Sequence, residues 1–290
     1  MRDLIKCIRA SLNMTQTEFA AHAGVSADAV CHWEEGISVP GREEQSAIYG
    51  LCKENAVSVY DMTLKKISDA AQKIRLNAGQ ILLYHGSKSG ITGPIAPKSR
   101  GQCDFGKGFY MGTNPEQALT LICDYEQSKF YIVSFDTQQL TGLDVPADVN
   151  WAMLVAYYRG RMEKIRGTPF YNRYRDMANG KDFVIGNIAD DRMYYVIDNF
   201  FIGNITDAAL VHSLSALQLG KQYVAISQRG CSAVRIEREI SISYLERLFL
   251  KDTAETNRTI GISSANKICR NYRREGLFFD EILDRHHLGE

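Results

Sequence analysis

The chain has 290 residues, of which 45% are hydrophobic and 23% charged; these ordinary values exclude a wholly disordered protein, a fibrous repeat and a mucin-like stalk. Its 34 Lys and Arg residues balance 34 Asp and Glu residues, so the net charge creates no general attraction to nucleic acid or to an anionic membrane. The length predicts two domains.

From the sequence we expect neither export nor membrane insertion. Its amino terminus lacks the continuous apolar core of a signal peptide, and no apolar run approaches the roughly 18 residues of a membrane span. The seven scattered cysteines form no C-x-x-C pair and have no histidine at zinc-ligand spacing. We therefore expect a soluble cytoplasmic protein with reduced thiols, no membrane association and no metal.

The first 62 residues have the pattern of a small helical bundle. Thr15 begins a capping box before a helix over 16–23, and Ser26 caps the next helix, which ends at Gly36. The string T-Q-T-E-F-A-A-H-A-G-V-S-A-D-A-V-C-H-W-E-E-G resembles the phage-repressor-like family. The resemblance implies a helix-turn-helix domain, which we assign to residues 1–65.

That resemblance also implies DNA contacts at the starts of the second and third helices. The candidate DNA-binding residues are Gln16, Ser26, Asp28 and His32. The third helix carries none of the usual base readers Arg, Lys, Asn and Gln. Residues 1–60 hold five basic against eight acidic residues, a net charge of −3 that repels phosphates. Operator binding, as a dimer, and a role as a protein-interaction module both stay open.

A different pattern begins after a predicted linker helix over residues 66–78. Short apolar runs predict strands, and amphipathic stretches between them predict helices. The predicted strands are 81–84, 130–135, 183–185, 193–197 and 223–226, and the predicted helices are 115–123, 151–161 and 208–217. Because strands and helices do not alternate regularly, we expect an α+β domain over residues 79–240.

Two short segments of this domain carry the chemistry. His85-Gly86-Ser87 follows the first strand, and a glycine there lets a planar ligand lie against the backbone amide groups. About twenty residues later, Gly106-Lys107-Gly108-Phe109-Tyr110 allows a sharp turn that presents an aromatic ring to a cleft. A histidine, a flat ring and open amide groups suit a heteroaromatic ring that bears a carboxamide.

In this order the segments resemble the ADP-ribosyltransferases of the diphtheria-toxin and poly(ADP-ribose)-polymerase type, whose signature is His, Tyr and then Glu, Asp or Gln. L-Y-H-G-S matches the first motif, G-K-G-F-Y-M the second, and K-Q-Y-V-A-I the third. Residues 80–236 are also similar to a bacterial family of unknown function in this superfamily. That family adds a Trp-led helix ending in Arg (Trp151 to Arg159) and D-F-V-I-G-N-I-A-D-D (182–191).

The resemblance implies a split-β-sheet fold that uses NAD as its substrate. It makes His85, Tyr110 and Gln222 the catalytic residues and extends the NAD-binding set to Gly86, Ser87, Gly108 and Phe109. His85 would bond a ribose hydroxyl, Gly86 would hold the carboxamide of nicotinamide, and Tyr110 would stack on its ring. Gln222 would bond the nicotinamide ribose and steady the positive charge that develops on it.

Two features, Gln222 and Leu121, depart from the family pattern, and a rival to Gln222 stays open. Gln222 cannot take a proton from an acceptor hydroxyl, which favours a single transfer over polymer synthesis. Glu237 or Glu239, in R-I-E-R-E-I, is a rival third catalytic residue of the Arg-modifying branch, and ranks below Gln222. Leu121 replaces the aromatic residue that polymerases place eleven positions after the motif tyrosine.

Other segments receive structural interpretations. Residues 157–176 are rich in Arg and Tyr, and a solvated helix is favoured over a nucleic-acid lip. Asp182, Asp190 and Asp191 are interpreted as turn and cap residues rather than metal ligands. His286-His287 is predicted to be an exposed tail. Residues 241–290 are predicted to form a helical extension that is broken at N-R-T-I-G-I-S-S and that packs on the core or forms a subunit interface.

The resemblance thus implies a mono-ADP-ribosyltransferase that is the toxin of a toxin–antitoxin or phage-defence system. The expected partners are NAD, a macromolecular acceptor of unknown type, a DNA operator, an antitoxin and further copies of the chain. Two alternatives stay open. One is a helix-turn-helix regulator whose second domain senses NAD or ADP-ribose without turnover. The other is an NAD glycohydrolase.

Overall fold

The computed structural model describes residues 1–188, 191–217 and 220–287. The helices in these ranges are α1 (Arg2–Ser11), α2 (Gln16–Ala23), α3 (Ala27–Glu35), α4 (Arg42–Glu54), α5 (Val59–Ala71), α6 (Pro115–Ile122), α7 (Val149–Tyr158), α8 (Pro169–Asp176), α9 (Asp191–Phe201), α10 (Asp207–Leu217), α11 (Gln228–Ser232), α12 (Tyr244–Tyr272) and α13 (Phe279–His287). The strands are β1 (Gln80–Ser87), β2 (Phe109–Gly112), β3 (Lys129–Asp136), β4 (Gly142–Asp144), β5 (Phe183–Asn187), β6 (Lys221–Ala225) and β7 (Val234–Ser241).

Helices α1 to α5 form the predicted N-terminal bundle around a buried apolar cluster that includes Phe19, Val30 and Trp33. Thr15 makes the predicted capping box before α2, and Ser26 caps α3. Helix α5 runs from Val59 to Ala71, so it crosses the boundary that the sequence predicts between the helix-turn-helix domain (1–65) and the linker helix (66–78). It continues because its buried face, which includes Val59 and Ile67, extends over three turns.

One sheet organises the second half of the chain, in the order β4-β5-β6-β2-β1-β3-β7. Its strand pairs are antiparallel except for β4 and β5, which are parallel. Helix α7 packs on one face with Val184 and Val224, while Phe109, Tyr131 and Phe183 form an apolar cluster on the other. Helices grouped around a largely antiparallel sheet make the fold α+β, as the sequence predicts.

The strand predicted over 193–197 is wrong, because these residues lie inside helix α9. Val196, Ile197 and Phe200 are buried in the same apolar cluster. Their spacing of one and four residues matches a helix face that is covered by the core. A short apolar run does not by itself distinguish a buried helix from a strand.

The predicted break in the C-terminal extension is also wrong. Helix α12 is continuous over 29 residues and includes the whole of N-R-T-I-G-I-S-S. Gly261 and Ala265 are buried there while Ile260 is exposed, so the helix presents its small residues to the core. Its first turns pack on the N-terminal bundle through Leu245 and Phe249, and Ala265 joins the core of the sheet domain. The extension therefore connects the two halves of the chain.

In the ranges that the structure describes, no helix combines the length and the apolar character needed to cross a lipid bilayer.

Candidate functional site

The first predicted site segment lies where the strands β1 and β2 diverge. All eight residues of β1 pair with β3, but β1 and β2 share the single register pair Tyr84↔Gly112. Continuing that antiparallel register places Gly86 opposite Tyr110, and no ladder pair joins the two described strands there. Backbone amide and carbonyl groups therefore line both edges of a gap in the sheet.

His85 spans this gap. Its Nδ1 lies 2.7 Å from the carbonyl oxygen of Tyr110, and since a carbonyl only accepts, Nδ1 carries the proton and donates. The ring stacks on Phe109 with centroids 4.2 Å apart. Burial lowers the pKa of His85 below its ordinary value, and the bond to Tyr110 raises it by a smaller amount. The ring is therefore neutral at pH 7, with Nε2 as an acceptor.

Gly86 lies directly under helix α6. A Cβ atom at this position would come within 2.4 Å of the carbonyl oxygen of Ala118 and within 2.8 Å of the Ile122 side chain. Only glycine allows the helix to approach the strand so closely. Leu121, on the same helix, is 56% exposed, so its side chain points away from this contact.

The other predicted NAD-binding residues frame the same gap. The hydroxyl of Ser87 donates to the carbonyl of Gly90 (2.9 Å), which closes the turn after β1. The amide of Gly108 donates to Ser99 Oγ (3.0 Å) just before β2 begins. Phe109 is buried beneath the His85 ring. Both edges are thus fixed by local hydrogen bonds and packing.

Tyr110 fastens the loop that precedes β2. Its hydroxyl donates to the carbonyl oxygen of Gly106 (2.8 Å) and accepts from the amide of Phe105 (3.1 Å). Burial raises the pKa of the Tyr110 phenol well above its ordinary value. The phenol therefore stays protonated and acts as a fixed ring, without acid–base chemistry of its own.

Gln222 is the second residue of strand β6 and is only 5% exposed. Its Nε2 donates to Oδ2 of Asp104 (3.3 Å) and to the carbonyl oxygen of Asn187 (3.0 Å). Oδ1 of the same aspartate accepts from Arg159 at 2.6 Å, in an ion pair whose side chains are 8% and 11% exposed. Four motifs that are far apart in the sequence therefore meet in one polar network.

The structure brings two of the three predicted catalytic side chains onto one face of the sheet. Gln222 pairs with Gly112, two residues beyond Tyr110 on β2, and side chains two residues apart share a face. The ring of His85 lies on the opposite face, over Phe109, and is joined to Tyr110 through the backbone. The gap between β1 and β2 separates the two groups.

Sequence reasoning missed the roles of Asp104 and Arg159. Both stand in the quoted motifs, at the start of D-F-G-K-G-F-Y and at the end of the Trp-led helix, but received no function. Their partners lie 55 and 118 positions away, so spacing alone could not pair them. The available signal was that an acidic residue, Asp104, and a basic residue, Arg159, stand in two successive motifs and could form an ion pair.

The rival third residues lie on the far edge strand, β7. Glu237 accepts from Ser134 Oγ (2.6 Å), and Glu239 pairs with Lys129 (3.4 Å). Strands β3 and β1 stand between β7 and the gap.

Two of the four candidate DNA-binding residues are engaged in hydrogen bonds within the bundle, and the other two are exposed. Gln16 donates to the buried Glu34 (2.9 Å), and Ser26 is engaged as the cap of α3. Asp28 and His32 are exposed on α3. The side chains left to face DNA are therefore an acid and a histidine.

The aspartates and the C-terminal histidines singled out in the sequence form no further site in the described part of the chain. Asp182 accepts from the amide of Thr141 (3.0 Å) and from Ser227 Oγ (2.8 Å), as a turn residue does. Asp190 and the side chain of Asp191 lie outside the described residues, as do the side chains of His286 and His287. In the part of the chain that is described, no three His, Cys, Asp or Glu side chains are grouped to hold a metal.

Basic residues of the 157–176 segment are paired with neighbouring side chains. Arg175 bonds Asp176 (2.6 Å), Lys164 bonds Asp280 (2.8 Å), and Tyr174 is buried. Two surface concavities lie elsewhere, one between α4 and α12 and one where these helices meet the end of α6. Neither adjoins the gap between β1 and β2.

A family model described as "Protein of unknown function (DUF3990)" matches residues 81–236, more than half of the chain. The match begins in β1 and ends in β7, so it covers both edges of the gap and the polar network. No curated protein and no solved structure matches the chain.

Proposed function

We propose that this chain, which belongs to the family described as "Protein of unknown function (DUF3990)", is a mono-ADP-ribosyltransferase that consumes NAD. The observation that carries the proposal is the gap between β1 and β2, where the register of Tyr84↔Gly112 points Gly86 toward Tyr110 but no further ladder pair joins the two described strands. A glycine backbone where the two strands diverge, beside a tyrosine ring whose hydroxyl is held by two hydrogen bonds, suits the carboxamide and ring of nicotinamide.

Each predicted residue has chemistry that suits this substrate. The amide and carbonyl of Gly86 would bond the carboxamide, and the ring of Tyr110 would stack on the pyridine. The Nε2 acceptor of neutral His85 would take a hydrogen bond from a ribose hydroxyl. Gln222 would accept from the nicotinamide ribose, next to the carbon that becomes electron-deficient.

The reaction asks little of acid–base groups. Nicotinamide leaves with the electron pair of the glycosidic bond and becomes neutral, while positive charge remains on the ribose. A nucleophilic atom of the acceptor then donates a pair to that carbon and releases its own proton. Orientation and charge stabilisation supply most of the rate. Because Gln222 cannot remove the acceptor's proton, we propose one transfer per acceptor site.

The cellular role follows from the resemblance rather than from the geometry. We propose the toxin of a toxin–antitoxin or phage-defence system, acting on a macromolecule and restrained by an antitoxin. The N-terminal bundle would serve autoregulation on an operator, dimerisation or choice of target.

The first experiment incubates the full chain with NAD and measures nicotinamide. We expect release by the wild type, and a loss of about 100-fold or more in Gln222→Ala, since preorganised polar groups at developing charge typically contribute this much. Gln228→Ala, at an exposed glutamine on α11, is the matched control and should retain full activity.

Adding adenylate-labelled NAD and cell extract distinguishes the alternatives. Label that becomes attached to macromolecules supports transfer. Its release by protease identifies a protein acceptor, and its release by nuclease identifies a nucleic-acid acceptor. Nicotinamide release with only free ADP-ribose supports a glycohydrolase. Binding of NAD without turnover, together with salt-dependent DNA binding, supports a regulator and rejects the enzyme.

A further inference from the structure

The orientation of the Gln222 carboxamide is determined by its two neighbours. The carboxylate oxygen of Asp104 and the carbonyl oxygen of Asn187 can only accept hydrogen bonds. The atom that faces both must therefore be the amide nitrogen, and both of its protons are used. Among the described residues no group donates to Oε1 of Gln222, so this oxygen is the one polar atom of the side chain left for a ligand.

Asp104 is itself held from two sides. Arg159, at the end of α7, donates to Oδ1 at 2.6 Å, which leaves Oδ2 for Gln222. The next residue, Phe105, is 1% exposed and packs where a Cβ on Gly186 would come within 2.4 Å of its ring. Glycine at 186 therefore makes room for the loop that carries the aspartate.

We propose that Asp104 is the positioning residue for Gln222, and that the Asp104–Arg159 pair fixes the carboxamide so that Oε1 accepts from the nicotinamide ribose. The inference rests on the proposed function. It assigns the negative charge of this network to position 104 and leaves position 222 neutral. A carboxylate oxygen at 222 would offer the same acceptor, but only if the charge at 104 were removed.

Because Asp104 is already charged, an acidic residue at position 222 should disturb this network. Gln222→Glu keeps the length of the side chain and its acceptor oxygen, but it sets a second carboxylate about 3.3 Å from the first in a buried site. Two carboxylates so close cannot both ionise. We therefore expect Gln222→Glu to lower the kcat of nicotinamide release, although acids occur at this position in the resembling superfamily.

Moving the negative charge from position 104 to position 222 should restore the hydrogen bond between these two side chains. In the double variant Asp104→Asn/Gln222→Glu, the amide nitrogen of the new residue at 104 donates to the carboxylate at 222, and its oxygen accepts from Arg159. The network keeps one negative charge, one positive charge and the two hydrogen bonds that join positions 104, 159 and 222, but it loses the bond to the carbonyl oxygen of Asn187 because a carboxylate cannot donate. Its net charge stays at zero, as in the wild type.

The experiment compares wild type, both single variants and the double variant for kcat and KM of nicotinamide release and for melting temperature. We expect Gln222→Glu to lower kcat about tenfold or more, and the double variant to be at least about threefold faster than Gln222→Glu despite the missing bond to Asn187, a coupling in the range found for contacting residues. KM should change less than kcat, because the contact acts on developing charge. Gln228→Glu, exposed on α11, should change neither rate nor melting temperature.

The outcomes separate this inference from the proposed function. Gln222→Glu activity equal to wild type, or a double variant no better than the worse single variant in rate and melting temperature, overturns the positioning role while leaving the enzyme intact. A wild type that releases no nicotinamide overturns the proposed function and the positioning role with it. Recovery of the melting temperature alone, without recovery of kcat, assigns the network to folding and rejects the catalytic positioning.

Discussion

At the scale of single residues, the state of His85 links the gap to pH. The pKa of the folded residue lies below its ordinary value of 6.5 because of burial. As the pH falls through 6.5, the unfolded chain takes up a proton that the folded chain does not, so stability is lost from there down to the folded pKa. Above 6.5 the contribution of His85 to stability is constant.

We therefore predict that His85→Asn flattens the fall in melting temperature between about pH 7.5 and pH 5.5, since an amide can replace the Nδ1–H donor without titrating there. Thermal unfolding followed by circular dichroism measures the slope. His32→Asn, at an exposed histidine, should leave the wild-type slope in place. An unchanged slope in His85→Asn would show that the imidazole already charges as freely in the folded state as in the unfolded one.

Which residues the sequence could identify depended on how far their partners lie along the chain. His85 and Tyr110 stand in short motifs whose order carries the resemblance, so both could be proposed without coordinates. The bond of Gln222 to Asp104 joins positions 118 apart and depends on how α7 places Arg159. Such a pairing is a product of the folded sheet and has no spacing that could predict it.

At the scale of elements, packing of α6 on β1 shapes the gap. We predict that Gly86→Ala destabilises the protein by about 1–3 kcal/mol, because the new methyl group would meet the carbonyl oxygen of Ala118 and a helix backbone cannot move aside cheaply. Gly50→Ala, inside α4 with open space at its Cβ, should instead stabilise by about 0.5–1 kcal/mol. Urea unfolding of both variants measures the difference, and equal effects would mean that α6 does not rest on Gly86.

Elements with strong local patterns could be predicted, and those defined by packing could not. The strands over 130–135 and 223–226 and the helix over 115–123 appear close to their expected bounds. The run at 193–197 became a helix because the core covers one side of it, a contact that no local pattern contains. Strand β7 was missed since its exposed residues obscure the alternation.

At the scale of the whole molecule, α12 joins the N-terminal bundle to the sheet domain. Its first turn is capped by Ser243 and Glu246, and the buried Glu246 also accepts from Lys66 on α5 (2.7 Å). Further along, Asp252 accepts from Tyr49 (2.5 Å) on α4. Two domains could be expected from length and motifs, but this connection could not, because its contacts join residues about 180 to 200 positions apart.

We predict that Glu246→Ala loosens this junction. The substitution removes a cap and a partly buried ion pair, whose combined loss should cost about 1–3 kcal/mol, with the pair discounted because Lys66 is 39% exposed. Hydrogen exchange should then rise in α4, α5 and the start of α12 more than in β1 and β3, because the bundle would detach while the sheet stays folded. Glu255→Ala, an exposed change on the same helix, should leave exchange unaltered. A uniform rise in hydrogen exchange across both halves would instead mean that the chain unfolds as one cooperative unit. In that case a loss of stability in the bundle would also destabilise the gap beside Gly86, because α12 packs on both halves.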